Sequence, residues 1–435
     1  MAAALLLPAV CAYAQTSTTG TYGSFSPYSI YGVGEISKGG TAHSRSMGGV
    51  GIASRNRRFI NVSNPAAVAV SDTLAFMADF GLYEDNKIYA QGSKRGAENT
   101  FNVNNIVMSF PIWRSSAFLV GLSPFSDVGY SFSSKEQSDE LLGHVGNITY
   151  DSYGNGSLYQ LYASAGATFW KRLSVGAEFI YYFGKLDRNS NETFENSTYR
   201  SITYGTNLNL HGFTGKFGVQ YDQKLSPTMS MTIGATYRLG TKLRGYENHF
   251  AYASQSSVVD TLKSMTYTDT LSHSSNAPRI ADELGVGISL RGNDRWSVEF
   301  NYLRSDWRKS NFESRKGFAA TGKANFTSSV SQSFRAGFEL VPNRNDIRYY
   351  MKRCAYRGGI YYDQDYFLMN GNRVDSYGIT LGITFPVFRW YNGISLGVDM
   401  GRRGSSKGMM ISETYFKFVV GFNIHDIWFQ KPKYN

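Results

Sequence analysis

The last segment of the chain shows a pattern that recurs through most of the sequence. Residues 414–425 alternate apolar and polar side chains, which places successive residues on opposite faces of a β-strand. One face consists of Phe416, Phe418, Val420, Phe422 and Ile424. The other consists of Tyr415, Lys417, Val419, Gly421 and Asn423. A strand of about ten residues with one apolar and one mixed face is typical of a transmembrane β-barrel, although a half-buried strand of a soluble sandwich has the same pattern.

Fourteen segments carry this alternation, and an even number is what a closed antiparallel barrel of one bacterial chain requires. They span residues 72–82, 101–112, 117–123, 157–169, 173–184, 208–221, 230–238, 281–291, 296–304, 333–340, 354–363, 377–385, 393–401 and 414–425. Soluble β-sandwiches usually contain about seven to ten strands. The sequence therefore predicts an all-β fold, a transmembrane antiparallel β-barrel of about 14 strands.

The connections between these segments alternate between short and long. The short ones are residues 113–116, 170–172, 222–228, 292–295 and 387–392, and residues 342–353 are a moderately long exception. The long ones are residues 83–99, 124–156, 185–207, 239–280, 305–330, 364–376 and 402–413. Outer-membrane barrels have short periplasmic turns and long outer loops, so the alternation predicts this class and a bacterial outer-membrane location.

Several charged side chains fall on the strand faces that the alternation turns inward. They are Glu178, Lys216, Glu299, Arg335 and Glu339. An Arg or Lys facing lipid at the bilayer midplane would cost about 2–4 kcal/mol, and the inward face avoids this cost. Because the charges have both signs, they can pair, and we predict a filled lumen rather than an open pore.

The N-terminus predicts export. Residues 2–10 form a short apolar run, and Ala12-Tyr13-Ala14 resembles a signal-peptidase site. A lipoprotein anchor at Cys11 is the alternative, but Val10 is large for that processing. We assign residues 1–14 to a signal peptide, 15–70 to a hatch inside the barrel, 71–425 to the barrel and 426–435 to a short periplasmic tail. The hatch segment is rich in Gly and small residues; an ordinary periplasmic extension is the alternative.

The overall composition narrows the function classes. The mean hydropathy is −0.30 and no run of about 18 apolar residues exists, so no transmembrane helix is expected. The formal net charge is +11, but no basic cluster interleaves with aromatic residues as in nucleic-acid readers. We therefore expect contact with outer-membrane lipids and lipopolysaccharide, and no nucleic-acid partner.

Candidate catalytic or metal-binding patterns are absent from the sequence. The histidines are scattered: His43, His144, His211, His249, His273 and His425. No HExxH, paired Cys/His set or G-x-S-x-G occurs, and no glycine-rich loop is followed by a phosphate-binding Lys. We predict no enzyme activity, no metal site and no cofactor.

Four passages together carry a family resemblance. They are residues 47–49 with 64–66, residues 158–162 with 173–176, residues 333–339, and residues 377–379 with 427–431. With them the chain resembles the FadL-like outer-membrane proteins, in the version common in the Bacteroidota. The resemblance implies a fourteen-stranded barrel plugged by an N-terminal hatch that contains Asn64, Pro65 and Ala66.

The resemblance implies a passive transporter of hydrophobic compounds as the function, with a non-transporting subunit of a larger assembly as the alternative. Members of the family pass hydrophobic compounds such as long-chain fatty acids passively across the outer membrane. Some relatives, PorV-like subunits among them, carry no solute and serve as barrel subunits of secretion or barrel-assembly machines. Other barrels or lipoproteins would then be partners. Trp428 and Phe429 of the tail fit either docking on a partner or anchoring at the membrane interface.

Overall fold

The alternating segments form strands that close into a barrel. The computed structural model describes residues 22–70, 75–113, 115–196, 198–254, 265–271, 276–320, 324–387, 392–405 and 410–427. The wall strands are Ala75–Gln91 (β1), Lys94–Trp113 (β2), Ser116–Lys135 (β3), Ile148–Phe169 (β4), Leu173–Phe194 (β5), Ser201–Lys224 (β6), Met229–Arg238 (β7), Glu283–Gly292 (β8), Trp296–Asp306 (β9), Val330–Leu340 (β10), Ala355–Met369 (β11), Asn372–Pro386 (β12), Gly393–Arg403 (β13) and Ser412–Ile427 (β14).

Each wall strand pairs antiparallel with the strand that follows it in the chain. The circuit closes where β14 pairs with β1, from Ala75 opposite Ile427 to Ala90 opposite Ser412. Closure removes the free edges that an open sheet would leave unpaired in lipid. The predicted fourteen-stranded antiparallel barrel is confirmed.

Side chains on the wall alternate between an outer apolar surface and the lumen. On β14, Phe418, Phe422 and Ile424 are 39%, 40% and 50% exposed on the outside, whereas Tyr415 and Val419 are buried inside. This exposed apolar band is the surface that lipid covers in a membrane barrel. None of the described helices is long and apolar enough to cross a bilayer.

Four predicted outer loops are wrong in extent, because the strands continue through much of them. Residues 83–99 are mostly a strand hairpin, since β1 runs to Gln91 and β2 begins at Lys94. Residues 124–156 contain the upper part of β3, the helix Asp139–Val145 and the start of β4. In residues 185–207, β5 reaches Phe194 and β6 begins at Ser201. In residues 364–376, β11 runs to Met369 and β12 begins at Asn372. Above the bilayer the outer face no longer needs apolar side chains, so the alternation fades while the backbone pairing continues.

A further pair of strands extends this outer sheet. Arg244–Ser254 pairs with the upper half of β6, and Met265–Thr270 pairs with Arg244–Ser254. Short strands also occur at Thr241–Lys242, Arg279–Ile280 and Phe326–Ser328. Arg244–Ser254 and Met265–Thr270 lie on the same side of the barrel as the long strands β3–β6 and make that side the taller one. Phe326–Ser328 pairs with the outer end of β11 instead.

Residues 22–70 lie inside the barrel, and this segment is called the hatch below. It contains the 3-10 helices Pro27–Ile30 and Pro65–Val70, the α-helix Ala42–Arg45 and the short strand Glu35–Ile36, which pairs with β3. Hatch residues and inner-wall residues together form the hydrophobic core. The predicted signal peptide and residues 428–435 of the predicted tail lie outside the described residues.

Candidate functional site: the plugged lumen

A belt of wall glycines lets the hatch lie directly on the inner wall. Between Ala42 and Ala69 the hatch passes from β14 around the lumen to β4. The glycines that face it include Gly421, Gly397, Gly382, Gly359, Gly337, Gly287, Gly285, Gly234, Gly218, Gly176 and Gly166. A Cβ at Gly337, Gly359, Gly234 or Gly176 would overlap hatch backbone atoms. Only glycine permits so close a backbone approach, so the hatch is seated against most of the inner circumference.

Asn64 ties the periplasmic part of the hatch to itself and to the wall. It is fully buried, and its Nδ2 donates to the carbonyl of Ile52 (2.7 Å) and to that of Val219 on β6 (3.3 Å). Its Oδ1 accepts the N–H of Ala66 (2.9 Å), which caps the 3-10 helix Pro65–Val70. Pro65 suits the first position of this helix because the N–H it lacks would be unpaired there.

Asn64→Ala is expected to loosen this part of the hatch. The substitution leaves buried backbone groups unpaired, which costs about 1–3 kcal/mol, so hydrogen exchange of residues 52–69 should rise roughly ten- to a hundredfold. Hydrogen exchange with mass spectrometry on the refolded barrel measures this change. Asn345→Ala, on an exposed turn, is the control. Equal exchange in both variants would contradict the role given to Asn64.

Two hatch charges are paired with the upper wall. The Glu35 carboxylate lies 2.7 Å from Lys87 Nζ on β1 and 3.5 Å from Arg403 on β13. Lys87 also contacts Asp85 (3.3 Å), and Arg403 Nε donates to Asp365 (2.8 Å). Because the Glu35 carboxylate sits between these two wall cations, the hatch completes the charge balance of the lumen.

The second hatch charge, Lys38, lies over the ring of Tyr361. Its Nζ is 3.2 Å from the ring centroid, 3.6 Å from Asp399 and 3.7 Å from Asp363. The Tyr361 hydroxyl donates to Asp399 (2.5 Å). Lys38 therefore combines a cation–π contact with two carboxylates from different strands, an arrangement that fixes its position.

The five charged residues predicted to face the lumen all lie on its inner surface, and four have polar partners there. Glu299 accepts the hatch N–H of Ala53 (2.9 Å), and Glu339 accepts Arg357 Nε (2.8 Å). Arg335 lies 3.5 Å from Asp363, and Ser164 donates to Glu178 (2.5 Å). Lys216 lines the lumen cavity, opposite Glu178 in the register of β5 and β6.

Sequence reasoning missed the charges of the upper lumen. The sequence places Glu35 and Lys38 in a hatch segment without periodicity, and it predicts a loop at Asp85 and Lys87. A signal for the second pair was present, because Tyr83, Asp85 and Lys87 continue the two-residue spacing of β1 with polar and aromatic side chains.

A cavity of about 300 Å³ remains between the hatch and the wall. Charged side chains of both signs line it, including Lys38, Arg335 and Asp363. Ile180 and Leu303 also line it, so ordered water suits one part of the lining, and an alkyl chain in the cavity would contact charged as well as apolar side chains.

Aromatic side chains fill the outer mouth of the barrel. Residues 306–320 fold inward, and Trp307, Phe312 and Phe318 are fully buried among Tyr31, Phe326, Tyr366 and Phe367. The Phe312 and Phe318 rings stack with centroids 5.4 Å apart, and the Tyr31 and Phe326 rings with centroids 5.5 Å apart. The Gly32 N–H donates to Phe318 O (2.8 Å). The hatch and an outer segment thus share one core at this end of the lumen.

An apolar depression of about 590 Å³ lies on the outer wall across β8–β11. Its apolar lining is formed by Val286, Ile288, Phe300, Tyr302, Phe334, Ala336, Ile360 and Tyr362. Asn301, Arg335 and Tyr361 border both this depression and the lumen cavity.

Among the described residues, no three His, Cys, Asp or Glu side chains converge as metal ligands. The described free cysteine, Cys354, is buried at the periplasmic end of β11.

Comparisons with known proteins show which family and which folds this chain is similar to. A family model described as BamG matches residues 1–435. No curated protein matches the sequence significantly. Solved structures with a similar fold are outer-membrane barrels at low sequence identity, and such a likeness shows the fold alone.

Three of these structures illustrate the likeness. The Ralstonia pickettii toluene transporter TbuX has a TM-score of 0.56 and 16% identity, with 89% of this chain and 98% of that chain covered. A Pseudomonas aeruginosa FadL homologue has a TM-score of 0.57 and 11% identity, covering 90% and 99%. The Pseudomonas putida toluene transporter TodX has a TM-score of 0.56 and 14% identity, covering 91% and 100%. The fold is therefore that of the FadL-type hydrocarbon channels.

Proposed function

Because the chain belongs to the BamG family and a seated hatch occupies its lumen, we propose that it is a non-transporting barrel subunit of a larger outer-membrane assembly. Other barrels or lipoproteins of the bacterial outer membrane are its partners, and outer-membrane lipids and lipopolysaccharide surround it. The observation that carries the proposal is the contact of hatch backbone with the glycine belt, reinforced by buried ion pairs.

Passage of a solute would require these contacts to break. Leaving one partner of a buried ion pair alone costs about 3–5 kcal/mol, and Glu35 and Lys38 each have two wall partners. An alkyl chain gains about 0.8 kcal/mol per CH₂ only when it enters apolar surroundings. The lumen cavity provides them only in part, because Lys38, Arg335 and Asp363 lie among its apolar side chains, so an alkyl chain gains less there than in a fully apolar pocket.

A second function, passive passage of hydrophobic compounds such as long-chain fatty acids, is favoured by one observation. The apolar depression on β8–β11 lies directly outside the lumen cavity, and Asn301, Arg335 and Tyr361 border both. A compound that reached the cavity would pass into the membrane between these strands. The FadL-type fold is compatible with this route.

Native purification and uptake assays separate the two functions. We expect the full chain, extracted in mild detergent, to co-purify in fixed stoichiometry with other barrels or lipoproteins. We expect a deletion strain to take up labelled oleate and toluene at the wild-type rate. Purification as a lone barrel together with reduced uptake would overturn the proposal and support transport.

Ala336→Trp offers a sharper test of the second function, because it would fill the depression on the outer wall. If hydrophobic compounds leave through this wall, the variant should take up several-fold less oleate than the wild type. We expect no change. Ala165→Trp, in another depression of the outer wall on β3–β6, is the matched control.

A further inference from the structure

Most of the net charge of the chain is found at the periplasmic end. The hatch tip (residues 54–58) and four periplasmic turns (residues 170–172, 222–228, 293–295 and 342–353) together carry eleven Lys and Arg against three Asp. Their net charge is +8, compared with +11 for the whole chain. We call these residues the basic face.

The three carboxylates of the basic face are already engaged with cations of the same end. Asp222 pairs with Arg291 (3.2 Å), and Asp346 lies 3.7 Å from Lys352 within its own turn. Asp294 interacts electrostatically with Arg344, whose Nε also donates to the Asp294 carbonyl (2.8 Å). The positive potential of the face is therefore only partly compensated from within.

The longest periplasmic turn is built to hold an exposed surface in place. The Asp346 carboxylate accepts the N–H groups of Arg348 (3.0 Å) and Tyr349 (2.8 Å), and the Tyr349 bond is the main cause that lowers the pKa of Asp346. Ile347 is 93% exposed and Met351 52% exposed, beside the cations Arg348 and Lys352. An apolar centre flanked by cations is suited to bind a macromolecule rather than a small ion.

The position of the hatch cations indicates what kind of partner fits. Arg57 is exposed, and its neighbour Arg55 donates to Ser174 near the periplasmic start of β5 (2.9 Å). These cations lie within the ring of wall strands, whereas membrane lipid surrounds the ring from outside. Lipid headgroups can reach the turns at the rim but not the hatch tip inside it. An acidic surface in the aqueous periplasm can cover both.

We propose that the basic face is the docking surface for an acidic periplasmic surface of a partner protein. This inference rests on the proposed function as an assembly subunit and names the side of the barrel on which the partner binds. The partner presents clustered Asp and Glu side chains to Arg57, Arg348 and Lys352, and an apolar side chain to Ile347. Its binding weakens as salt concentration rises, because solvent-exposed charges are screened.

Site-specific cross-linking in cells tests this docking surface. A photo-reactive benzoylphenylalanine at position 347 of the full chain is expected to give one discrete protein product. The cross-linked peptide of the partner should carry a surplus of Asp and Glu. Arg348→Glu with Lys352→Glu, and separately Lys171→Glu with Arg172→Glu, should reduce the product at least tenfold. Lys94→Glu with Arg95→Glu makes the same charge change on the exposed outer hairpin and should leave the product unchanged.

Several results would overturn the inference. A product with the mass of a phospholipid adduct would show that lipid covers the face. A protein product that persists in both charge-reversed variants, or one without an acidic segment, would exclude recognition by charge. No product from position 347, in cells whose wild-type chain still co-purifies with partners, would exclude the docking surface and leave the proposed function standing. Failure of the wild-type chain to co-purify would instead remove the proposed function.

Discussion

Arg403→Met is expected to release the upper hatch, with hydrogen exchange of residues 28–38 rising about 100- to 3,000-fold. The fully buried Arg403 guanidinium lies 2.8 Å from Asp365, 3.5 Å from Glu35 and 3.7 Å from Glu413. Removing it leaves these carboxylates without a shared cation, which costs about 3–5 kcal/mol. The hatch is the element that can move to relieve this cost, because β13 is held by its pairing with both neighbouring strands.

Two controls separate this effect from general destabilisation. Arg403→Lys keeps a cation but loses the planar donor pair, so its effect should be smaller than that of the methionine variant. Arg308→Met removes an exposed arginine paired with Asp306 at the outer rim and should change the exchange of residues 28–38 by less than twofold. Heat-dependent gel mobility should show a folded barrel in all variants. Unchanged exchange in Arg403→Met would refute the assignment of Arg403 as the upper anchor.

Gly337→Val combined with Gly359→Val is expected to displace the hatch and open the lumen. A Cβ at Gly337 would overlap the Met47 carbonyl, and one at Gly359 would overlap the Gly48 N–H group. These neighbours are backbone atoms, so no side-chain rotation can relieve the overlap, and overpacking of this kind costs about 1–3 kcal/mol per site or more. The double variant should conduct ions in planar bilayers at several times the wild-type level, and trypsin should cleave after Arg55 or Arg57.

Gly358→Val is a close control for this variant. Gly358 is adjacent to Gly359 but faces outward, where a Cβ would make only ordinary contacts with Leu381 and Thr380. It should remain closed and resistant to trypsin. If the double variant showed the same conductance and trypsin resistance as Gly358→Val, the glycine belt would not be what holds the hatch in place.

The wall could be predicted from the sequence because each strand is encoded locally. Alternation decides which side chains face lipid: Phe418 is 39% exposed on the outside of the barrel, whereas Glu299 is buried. Alternation does not indicate how far along the barrel axis a side chain lies, or which side chain it contacts across the lumen. Lys38 meets Asp399 only because a coiled hatch and a strand more than 300 residues later reach the same level, and no local pattern reports that.

The contacts between the hatch and the wall glycines could not be predicted from the sequence, for a different reason. Gly337 and Gly359 look in the sequence like ordinary strand glycines, which occur for many reasons. Their meaning appears only when the hatch backbone is seen to contact them. Asn64 is similar, because an Asn before Pro predicts a local turn, whereas its bond to Val219 on a distant strand depends on the closed barrel.

The unequal strand lengths have a consequence for access from outside the cell. β6 has 24 residues, which corresponds to about 80 Å of strand and roughly 60 Å of height at a tilt near 40°. β8 has 10 residues, enough for only about 25 Å, close to the thickness of the hydrocarbon layer. The barrel wall is therefore taller on the side of β6 than on the side of β8. We expect a large neighbour in the same membrane to come close to the outer rim only on the low side, where β8 lies.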